Sequence, residues 1–350
     1  MYSRKFTEAP EQIINNGKAC FGTFDGVSSK IDINGMRAPY AGLPLPSFLT
    51  QLKIKSRLAY VFSNEEYIGM TEFFDYKIFG IIELIFWNKT TGKKLVYHTF
   101  TSPRISLISK KTSEGISASY KKSRYIKVFW GRNHQHLAMK FNVKGDSARP
   151  SAKGSFFSPL NSSFHTDSLF VNPSPISSRC NATWVCTMNV QGNISLNNET
   201  SEPNPGLALL MSSRGYYKQR NKSTIAWGIG TVKNQEIIFQ LGNSNLDSTD
   251  PDKYNSNILV VNGEKTALPS VVITHPFGYD KNWIIQDTEN MVDLTFTPIS
   301  RNERILNVIA FRSYTTKIYG TFEGVLLTAE GEKIILKNFP GIINKNNVRM

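Results

Sequence analysis

The sequence predicts an all-β protein made of two tandem antiparallel β-barrels or half-barrels, with few short helices. Short runs rich in β-branched and aromatic residues recur along most of the 350 residues. Turn signals containing Asn-Gly or Glu-Gly separate these runs at the spacing of a meander. Amphipathic helical patterns are nearly absent. Together these three observations favour barrels over an α/β or helical architecture.

The predicted strands of the first half lie between residues 53 and 144. They are separated by turn signals such as SNEEY and NKTTGK. In chain order these strands are LKIKSRLAYVF, YKIFGIIELIFW, KKLVYHTF, RISLI, GISASYK, RYIKVFW and HLAMKFNVK.

The same pattern of short β-branched and aromatic segments, separated by turn signals, returns after residue 180. The turns VVNGEK, NVQGNI and TAEGEK place glycine where the backbone must be left-handed. The best candidate for a short helix is SEPNPGLALLMSSRG, residues 201–215, although its prolines leave helix or strand open. The predicted strands are TWVCTMNVQGNISL, STIAWGIGTVKNQEIIFQLG, NILVVNGEKTAL, WIIQDTENMVDLTFTP, RILNVIAFRSYTTKIYGTFEGVLLT and EKIILKNF.

A segment rich in Ser, Pro, Gly and Asn separates the two halves. We therefore predict an N-terminal β-domain at residues 1–150, a connector at residues 151–179 and a C-terminal β-domain at residues 180–350. Phenylalanines that would be costly to leave in water predict that the connector packs against the barrels: Phe156, Phe157, Phe164 and Phe170.

One hexapeptide occurs almost twice, as GTFDGV from Gly22 and as GTFEGV from Gly320. Glycines within a strand mark bends or close backbone approaches. The pattern predicts that each half uses a bent strand of this design, and that the strand in residues 18–35 packs with the C-terminal half. Coincidence among glycine-rich hairpins is the alternative interpretation.

The formal net charge is +14 and the sequence pI is about 9.5. Such an excess raises nucleic acid, anionic membranes and acidic ligands as partners. The basic residues are spread out, however, and even the densest group, KSRYIK at residues 122–127, contains an aromatic residue. No recognition-helix, zinc-finger or RNA-recognition signature accompanies them. Nucleic acid is therefore not the expected partner, whereas peripheral contact with a membrane surface stays open.

Neither a cofactor nor a metal is expected from the motifs. The patterns GxSxG, HExxH and P-loop do not occur. His134 and His136 share one face of a predicted strand but have no third ligand nearby. Three cysteines make no disulfide framework, and no stretch of about 20 apolar residues occurs. We expect a cytoplasmic protein without a transmembrane segment or a secretory signal.

The chain resembles the uncharacterised family named domain of unknown function 2804 over essentially its whole length. The most specific parts are DLTFTP at residues 293–298, the RGYY stretch from Arg214 to Trp227, and the closing glycine hairpin. Met211-Ser212-Ser213 stands where the resemblance implies an acidic residue. The family is similar in architecture to double lipocalin-like (calycin-type) proteins such as carotenoid hydratases and tocopherol cyclases. The resemblance thus implies lipocalin-like barrels and an apolar ligand.

Polar groups at the mouth of an apolar cavity orient its ligand. The predicted ligand-binding residues are Arg214, Tyr216, Tyr217, Trp227 and Trp283.

A hydratase or cyclase also needs a carboxylic acid that an apolar setting keeps protonated. The candidates are Asp287 and Asp293, with His275 as a further pocket residue, while turn capping and ordinary loop positions are the competing interpretations. The sequence leaves open whether the protein is an enzyme.

Two functions follow from these observations. The first is binding of a hydrophobic small molecule or lipid in a β-barrel cavity, with isomerase, hydratase or cyclase activity as an extension. The alternative is a basic interaction module that contacts nucleic acid or an anionic membrane surface. The salt dependence of binding distinguishes these two functions, because electrostatic binding weakens steeply as the salt concentration rises.

Overall fold

The computed structural model describes residues 2, 4–36, 51–102, 107–131, 135–175, 179–197, 199, 201–308 and 311–350. Within these ranges β-strand dominates, and the helical residues are 51–53. None of the helices in these ranges has the length and apolar character needed to span a membrane. His134 and the first residues of RISLI lie outside the described residues.

Strands of the N-terminal part and of residues 180–216 form the first sheet. Alternating β-branched and aromatic residues explain why these segments are strands. In chain order the strands are β1 (Thr7–Glu8), β2 (Ile14–Asn15), β3 (Lys18–Ala19), β4 (Gly22–Asp25), β5 (Ile54–Asn64), β6 (Tyr67–Asp75), β7 (Gly80–Asn88), β8 (Lys94–Thr101), β9 (Glu114–Lys121), β10 (Arg124–Gly131), β11 (His136–Val143), β12 (Ala152–Pro159), β13 (Thr166–Pro173), β14 (Cys180–Leu196) and β15 (Asn204–Tyr216).

The first sheet is a nearly closed barrel whose strands are antiparallel apart from the short parallel pair β1 and β4. Its strand order is β8-β7-β6-β5-β15-β14-β12-β11-β10-β9, while β13 pairs with β14 and β4, and β4 pairs with β1. The two short strands β2 and β3 form a separate hairpin. Since β14 has 17 residues, it pairs with β12 near one end and with β13 near the other.

The second sheet is a half-barrel with the order β19-β18-β17-β16-β24-β23-β22-β21-β20. Its three longest strands, β22, β23 and β24, have 17 residues each and pair with one another in chain order. Its strands are β16 (Arg220–Val232), β17 (Gln235–Ser244), β18 (Ile258–Val261), β19 (Glu264–Ala267), β20 (Val272–Thr274), β21 (Trp283–Gln286), β22 (Val292–Val308), β23 (Phe311–Leu327) and β24 (Lys333–Arg349).

Strand alternation divides the apolar residues between two sides of each sheet. In β5, Tyr60 and Phe62 face the interior of the barrel. Their neighbours Ala59 and Val61 face outwards and pack with Trp227 of the second sheet. The outer face of the barrel is therefore buried against the half-barrel, and a third apolar layer lies between the two sheets.

The structure confirms the predicted fold class of two antiparallel barrel-like sheets. The helix candidate at residues 201–215 is instead the strand β15. The apolar residues of β15 follow one another without alternation because both faces of the strand are buried. Leu209 and Met211 face the layer between the sheets, while Ala208 and Leu210 face the barrel interior.

Strand pairing places the change from the first to the second sheet between β15 and β16. The connector predicted at residues 151–179 contains β12 and β13, and its Phe156, Phe164 and Phe170 are buried. The residues of the early strand β4 pair within the first sheet, while Asp25 also forms an ion pair with Lys265 of the second. The division at residues 150 and 180 into separate domains stays a prediction.

Candidate binding cleft between the sheets

A cleft between the two sheets is the candidate functional site. One wall consists of residues from β5, β6, β13, β14 and β15, and the other of residues from β16, β17 and β24. The cleft has a volume of about 120 Å³. Engineered apolar cavities of similar size hold one benzene molecule. The space therefore suits a small ligand, or one end of a larger ligand.

Buried polar atoms without partners line this cleft. Within the described part of the chain, Arg57 Nη2, Asn172 Oδ1 and Asn181 Oδ1 are buried and make no hydrogen bond. A buried polar group without a partner costs about 1–3 kcal/mol. Native proteins therefore pair such groups with water or with a ligand. One arginine donor and two amide oxygens are thus available to a bound molecule.

Arg57 connects the cleft to the apolar layer between the sheets. Its guanidinium is 5.6 Å from the ring centroid of Trp227 and forms an ion pair with Glu72. The Trp227 indole in turn donates a 3.0 Å hydrogen bond to Gln240 Oε1. Beside Arg57, burial raises the pKa of Tyr217 to about 12. This phenol stays protonated at neutral pH and can donate a hydrogen bond.

A chain of buried charges continues from Arg57 along the inter-sheet layer. Lys317 of β23 contacts both Glu72, at 2.7 Å, and Glu83. Arg304 lies 3.2 Å from the other oxygen of Glu83. Burial alone would raise the pKa of Glu72, but Arg57 and Lys317 outweigh it and hold this pKa well below its usual range. The three cations exceed the two carboxylates by one positive charge.

Asp247 supplies a carboxyl group to the cleft. It follows β17 in a turn, and its Oδ2 accepts a 2.6 Å hydrogen bond from the Ser244 backbone N–H. Burial raises the pKa of Asp247 to about 6, although this hydrogen bond lowers it. The neighbouring Leu246 carbonyl accepts a 2.9 Å hydrogen bond from the Asn181 side chain, so the turn contacts the first sheet.

The structure brings three of the predicted ligand-binding residues to the cleft or its border: Arg214, Tyr217 and Trp227. Arg214 borders the cleft, but its side chain points into the barrel, where its Nη atoms donate to Ser56 Oγ at 2.6 Å and to the Ile108 carbonyl at 2.8 Å. Burial lowers the pKa of Arg214.

The other two predicted ligand-binding residues lie apart from the cleft. Tyr216 faces the barrel interior, where the Arg179 guanidinium is 4.8 Å from its ring centroid. Trp283 lies in the core of the half-barrel and stacks against His275, with ring centroids 4.3 Å apart. Desolvation and the nearby Lys345 ammonium lower the pKa of His275. His275 and Trp283 are therefore neighbours in a second location.

The predicted acids Asp287 and Asp293 are at the edge of the half-barrel, outside the cleft. Asp287 caps a turn, because its two oxygens accept hydrogen bonds from the backbone N–H groups of Met291 and Val292, each at 3.1 Å. Asp293 is exposed and accepts a 2.9 Å hydrogen bond from the Gln286 side chain. Asp287 thus fits turn capping, the competing interpretation, whereas Asp293 makes a cross-strand contact on β22.

Arg57 and Asp247 were missed by sequence reasoning. The only sequence signal at Arg57 is a basic residue inside a strand otherwise buried on both faces. Asp247 stands in the turn SNLDSTD, which resembles any Asx-rich connection. Neither signal distinguishes a cleft residue from an ordinary one.

Comparison with known proteins gives a matching family and several distant structures, among them the following two. The family described as domain of unknown function (DUF2804) matches residues 47–350. Kievitone hydratase from Nectria haematococca has 10% identity and a TM-score of 0.42, covering 84% of this chain and 88% of its own. CghA with Sch210972 has 9% identity and a TM-score of 0.45, covering 85% and 89%. No curated protein sequence matches.

Proposed function

This chain belongs to the family described as domain of unknown function (DUF2804), and we propose that it binds a small molecule in the cleft between its two sheets. The observation that carries this proposal is the set of buried, unpartnered polar atoms around a cavity of about 120 Å³. Such atoms require a partner that the protein itself does not provide.

The ligand has an apolar body and an acceptor group such as a carboxylate, carbonyl or phenolate. Met211, Phe74 and Ile225 supply the apolar walls. Arg57 Nη2 supplies an N–H donor, and the buried charges near Arg57 have a surplus of one positive charge. A negatively charged acceptor therefore gains more from this cleft than a neutral one.

The proposal extends to proton transfer. Asp247 has a pKa of about 6, so an appreciable fraction of this carboxyl is protonated near neutral pH. A general acid works best when its pKa is close to the working pH. Asp247 would donate its proton to an alkene or carbonyl of the ligand, as an isomerisation, hydration or cyclisation requires.

Native mass spectrometry of the untagged protein tests the binding proposal. We expect a population heavier than the 39.4 kDa chain, which organic extraction removes. Calorimetric titration of the extracted protein with 2-naphthoate, an apolar ring with a carboxylate, should show binding. Raising the salt concentration tenfold should weaken this binding only a few-fold, because most of its free energy comes from burial.

Two variants test whether the ligand binds in this cleft. Ser213 is half-buried and lines the cleft, so Ser213→Phe fills part of the cavity and should weaken 2-naphthoate binding at least tenfold. Thr274→Phe adds the same ring at an exposed position of β20 and should bind within twofold of the wild type. Equal binding by both variants, or no adduct and no probe binding in the wild type, would contradict the proposal.

A further inference from the structure

A cluster of a histidine, a carboxylate and a thiol lies apart from the cleft, on the hairpin of β13 and β14. Asp167 of β13 is directly opposite Cys186 of β14 in the register. Side chains two residues apart on a strand share one face. His165 therefore falls beside Asp167, and Trp184 beside Cys186. The sequence patterns His-x-Asp and Trp-x-Cys thus converge on the inner face of the barrel.

The three side chains lie close enough together to share one metal ion. His165, Asp167 and Cys186 each offer one ligand atom, and these atoms lie within 4.8 Å of one another. His165 Nε2 is 3.3 Å from Asp167 Oδ2, and Cys186 Sγ is 3.7 Å from the other ring nitrogen, Nδ1. Ligands around a tetrahedral Zn²⁺ are about 3.3–3.6 Å apart, given bonds of about 2.0–2.3 Å. The Nε2–Oδ2 distance has this spacing, and the Cys186 side chain would move towards Nε2 on binding.

The surrounding hydrogen bonds orient these atoms as they do in metal sites. His165 Nδ1 is 3.3 Å from the Thr187 carbonyl, which can accept its hydrogen and leave Nε2 free to bind a metal. The Trp184 indole donates a 2.7 Å hydrogen bond to Asp167 Oδ1, which leaves Oδ2 facing Nε2. A histidine ligand usually donates its second N–H to a carbonyl or carboxylate, and a ligating carboxylate is itself hydrogen-bonded.

A direct His–Asp hydrogen bond explains the cluster less well. Charge-assisted N–H···O bonds are about 2.7–2.9 Å long, whereas the Nε2–Oδ2 distance here is 3.3 Å. A thiolate and a carboxylate together carry two negative charges, which a divalent cation neutralises. The His165 side chain is 16% exposed, so an ion and a water molecule can reach the cluster.

We propose that His165 Nε2, Asp167 Oδ2 and Cys186 Sγ bind a divalent transition metal, with Zn²⁺ as the best fit. A donor set of one thiolate, one imidazole and one carboxylate suits Zn²⁺ or Co²⁺ and not Mg²⁺ or Ca²⁺, which prefer oxygen ligands. Three protein ligands leave the fourth tetrahedral position to water, as in catalytic zinc sites. Binding deprotonates the thiol and releases a proton.

Titration with Co²⁺ tests this site, because thiolate ligation gives a near-ultraviolet charge-transfer band that other ligands do not give. Untagged, chelator-treated and reduced protein should develop this band, with tetrahedral-strength visible bands, up to one equivalent of Co²⁺. Added Zn²⁺ should abolish both. Cys186→Ser should lose the charge-transfer band, and Asp167→Asn should bind Co²⁺ at least tenfold more weakly while its amide oxygen still accepts from Trp184.

Cys180→Ser is the matched control, since Cys180 is a buried thiol of the same strand β14. It should titrate like the wild type. Circular dichroism shows whether each variant is folded, and His165→Gln provides a further test should Cys186→Ser unfold. A folded wild type without the band at millimolar Co²⁺, or a band that survives in both Cys186→Ser and His165→Gln, would overturn the proposal.

Discussion

At Asp247 two effects on one carboxyl group oppose each other. Removal of the group from water disfavours the charged form and raises its pKa, whereas the hydrogen bond from the Ser244 N–H favours the charged form. Desolvation wins and brings the pKa to about 6. The same carboxyl that suits proton donation in the cleft therefore stabilises the folded protein only while it is protonated.

The stability of the protein should depend on pH through Asp247. Its folded pKa of about 6 lies above the ordinary value of 3.8, so its contribution is complete below about pH 4 and is lost as the pH rises through 6. Relative to Asp247→Asn, the wild type should lose up to about 3 kcal/mol in the free energy of unfolding across this window. Urea unfolding of both proteins at pH 4, 5, 6 and 7 measures the difference.

The matched control for this experiment is Asp250→Asn, which changes an exposed carboxylate in the same loop. Its unfolding free energy should follow that of the wild type at every pH. A constant difference between the wild type and Asp247→Asn from pH 4 to 7 would show that Asp247 is not desolvated as described.

Site residues were the hardest part to predict from the sequence. A hydratase or cyclase needs a desolvated acid, for which the sequence offered Asp287 and Asp293, whereas the acid that lines the cleft is Asp247. Desolvation depends on which strands meet across the cleft, and this is a tertiary property. Arg214 and Tyr217 were accessible to prediction because the family resemblance singled out their motif.

At the scale of single elements, the repeated hexapeptide performs the same task in both sheets. Phe24 of the first copy belongs to the barrel core and Phe322 of the second to the half-barrel core. The second glycine of each copy, Gly26 or Gly324, has a positive φ, of 86° and 129° respectively. Each copy therefore buries one aromatic ring and then turns the backbone where only glycine is comfortable.

Gly324 is the more constrained of the two glycines, and Gly324→Ala should destabilise the protein by at least about 2 kcal/mol. It follows a register shift between β23 and β24, and an added Cβ would lie 2.1 Å from the Asp293 carbonyl oxygen. Gly278→Ala is the control, because φ is 97° there but nothing lies within 4 Å of the added Cβ. Thermal and urea unfolding compare the two; equal losses would mean that the close approach has no energetic consequence.

The strands could be predicted because the two-residue alternation of buried and exposed side chains is visible within each short segment of sequence. Alternation in segments such as β8, β10 and β11 reflects one inner and one outer face. The run in β15 gave no such period, since both of its faces are buried, and a buried strand cannot be told from a buried helix by pattern alone. The ambiguity at residues 201–215 thus came from the second sheet, which the local sequence does not reveal.

At the scale of the whole molecule, the two sheets share one buried layer that contains both apolar and charged residues. Trp227, Tyr319 and Ile342 of the half-barrel pack on the outer face of the barrel. The charges of Glu72 and Glu83 face Lys317 in the same layer. Attraction to Lys317 and the arginines holds both carboxyl pKa values low despite burial. The stabilisation that these carboxylates provide is therefore present above about pH 4.5 and is lost as the pH falls through their lower folded values.

Removal of Lys317, the central cation of this layer, should show how strongly its ion pairs hold the two sheets together. Lys317→Met keeps the apolar stem but leaves one positive charge fewer beside two buried carboxylates, so it should cost about 3–5 kcal/mol. Lys337→Met, at an exposed position of the adjacent strand β24, should cost less than about 0.5 kcal/mol. Urea unfolding followed by tryptophan fluorescence measures both.

The double variant Lys317→Met/Glu83→Leu distinguishes the cost of losing the ion pair from the cost of leaving one buried charge unpaired. Replacing both partners of a buried pair by apolar side chains can be nearly neutral, whereas removing one partner leaves an uncompensated charge. We therefore expect the double variant to be more stable than Lys317→Met alone, with a coupling energy well above the 0.3–0.5 kcal/mol that is typical of independent sites. Additive losses would indicate that Lys317 and Glu83 do not interact across the sheets.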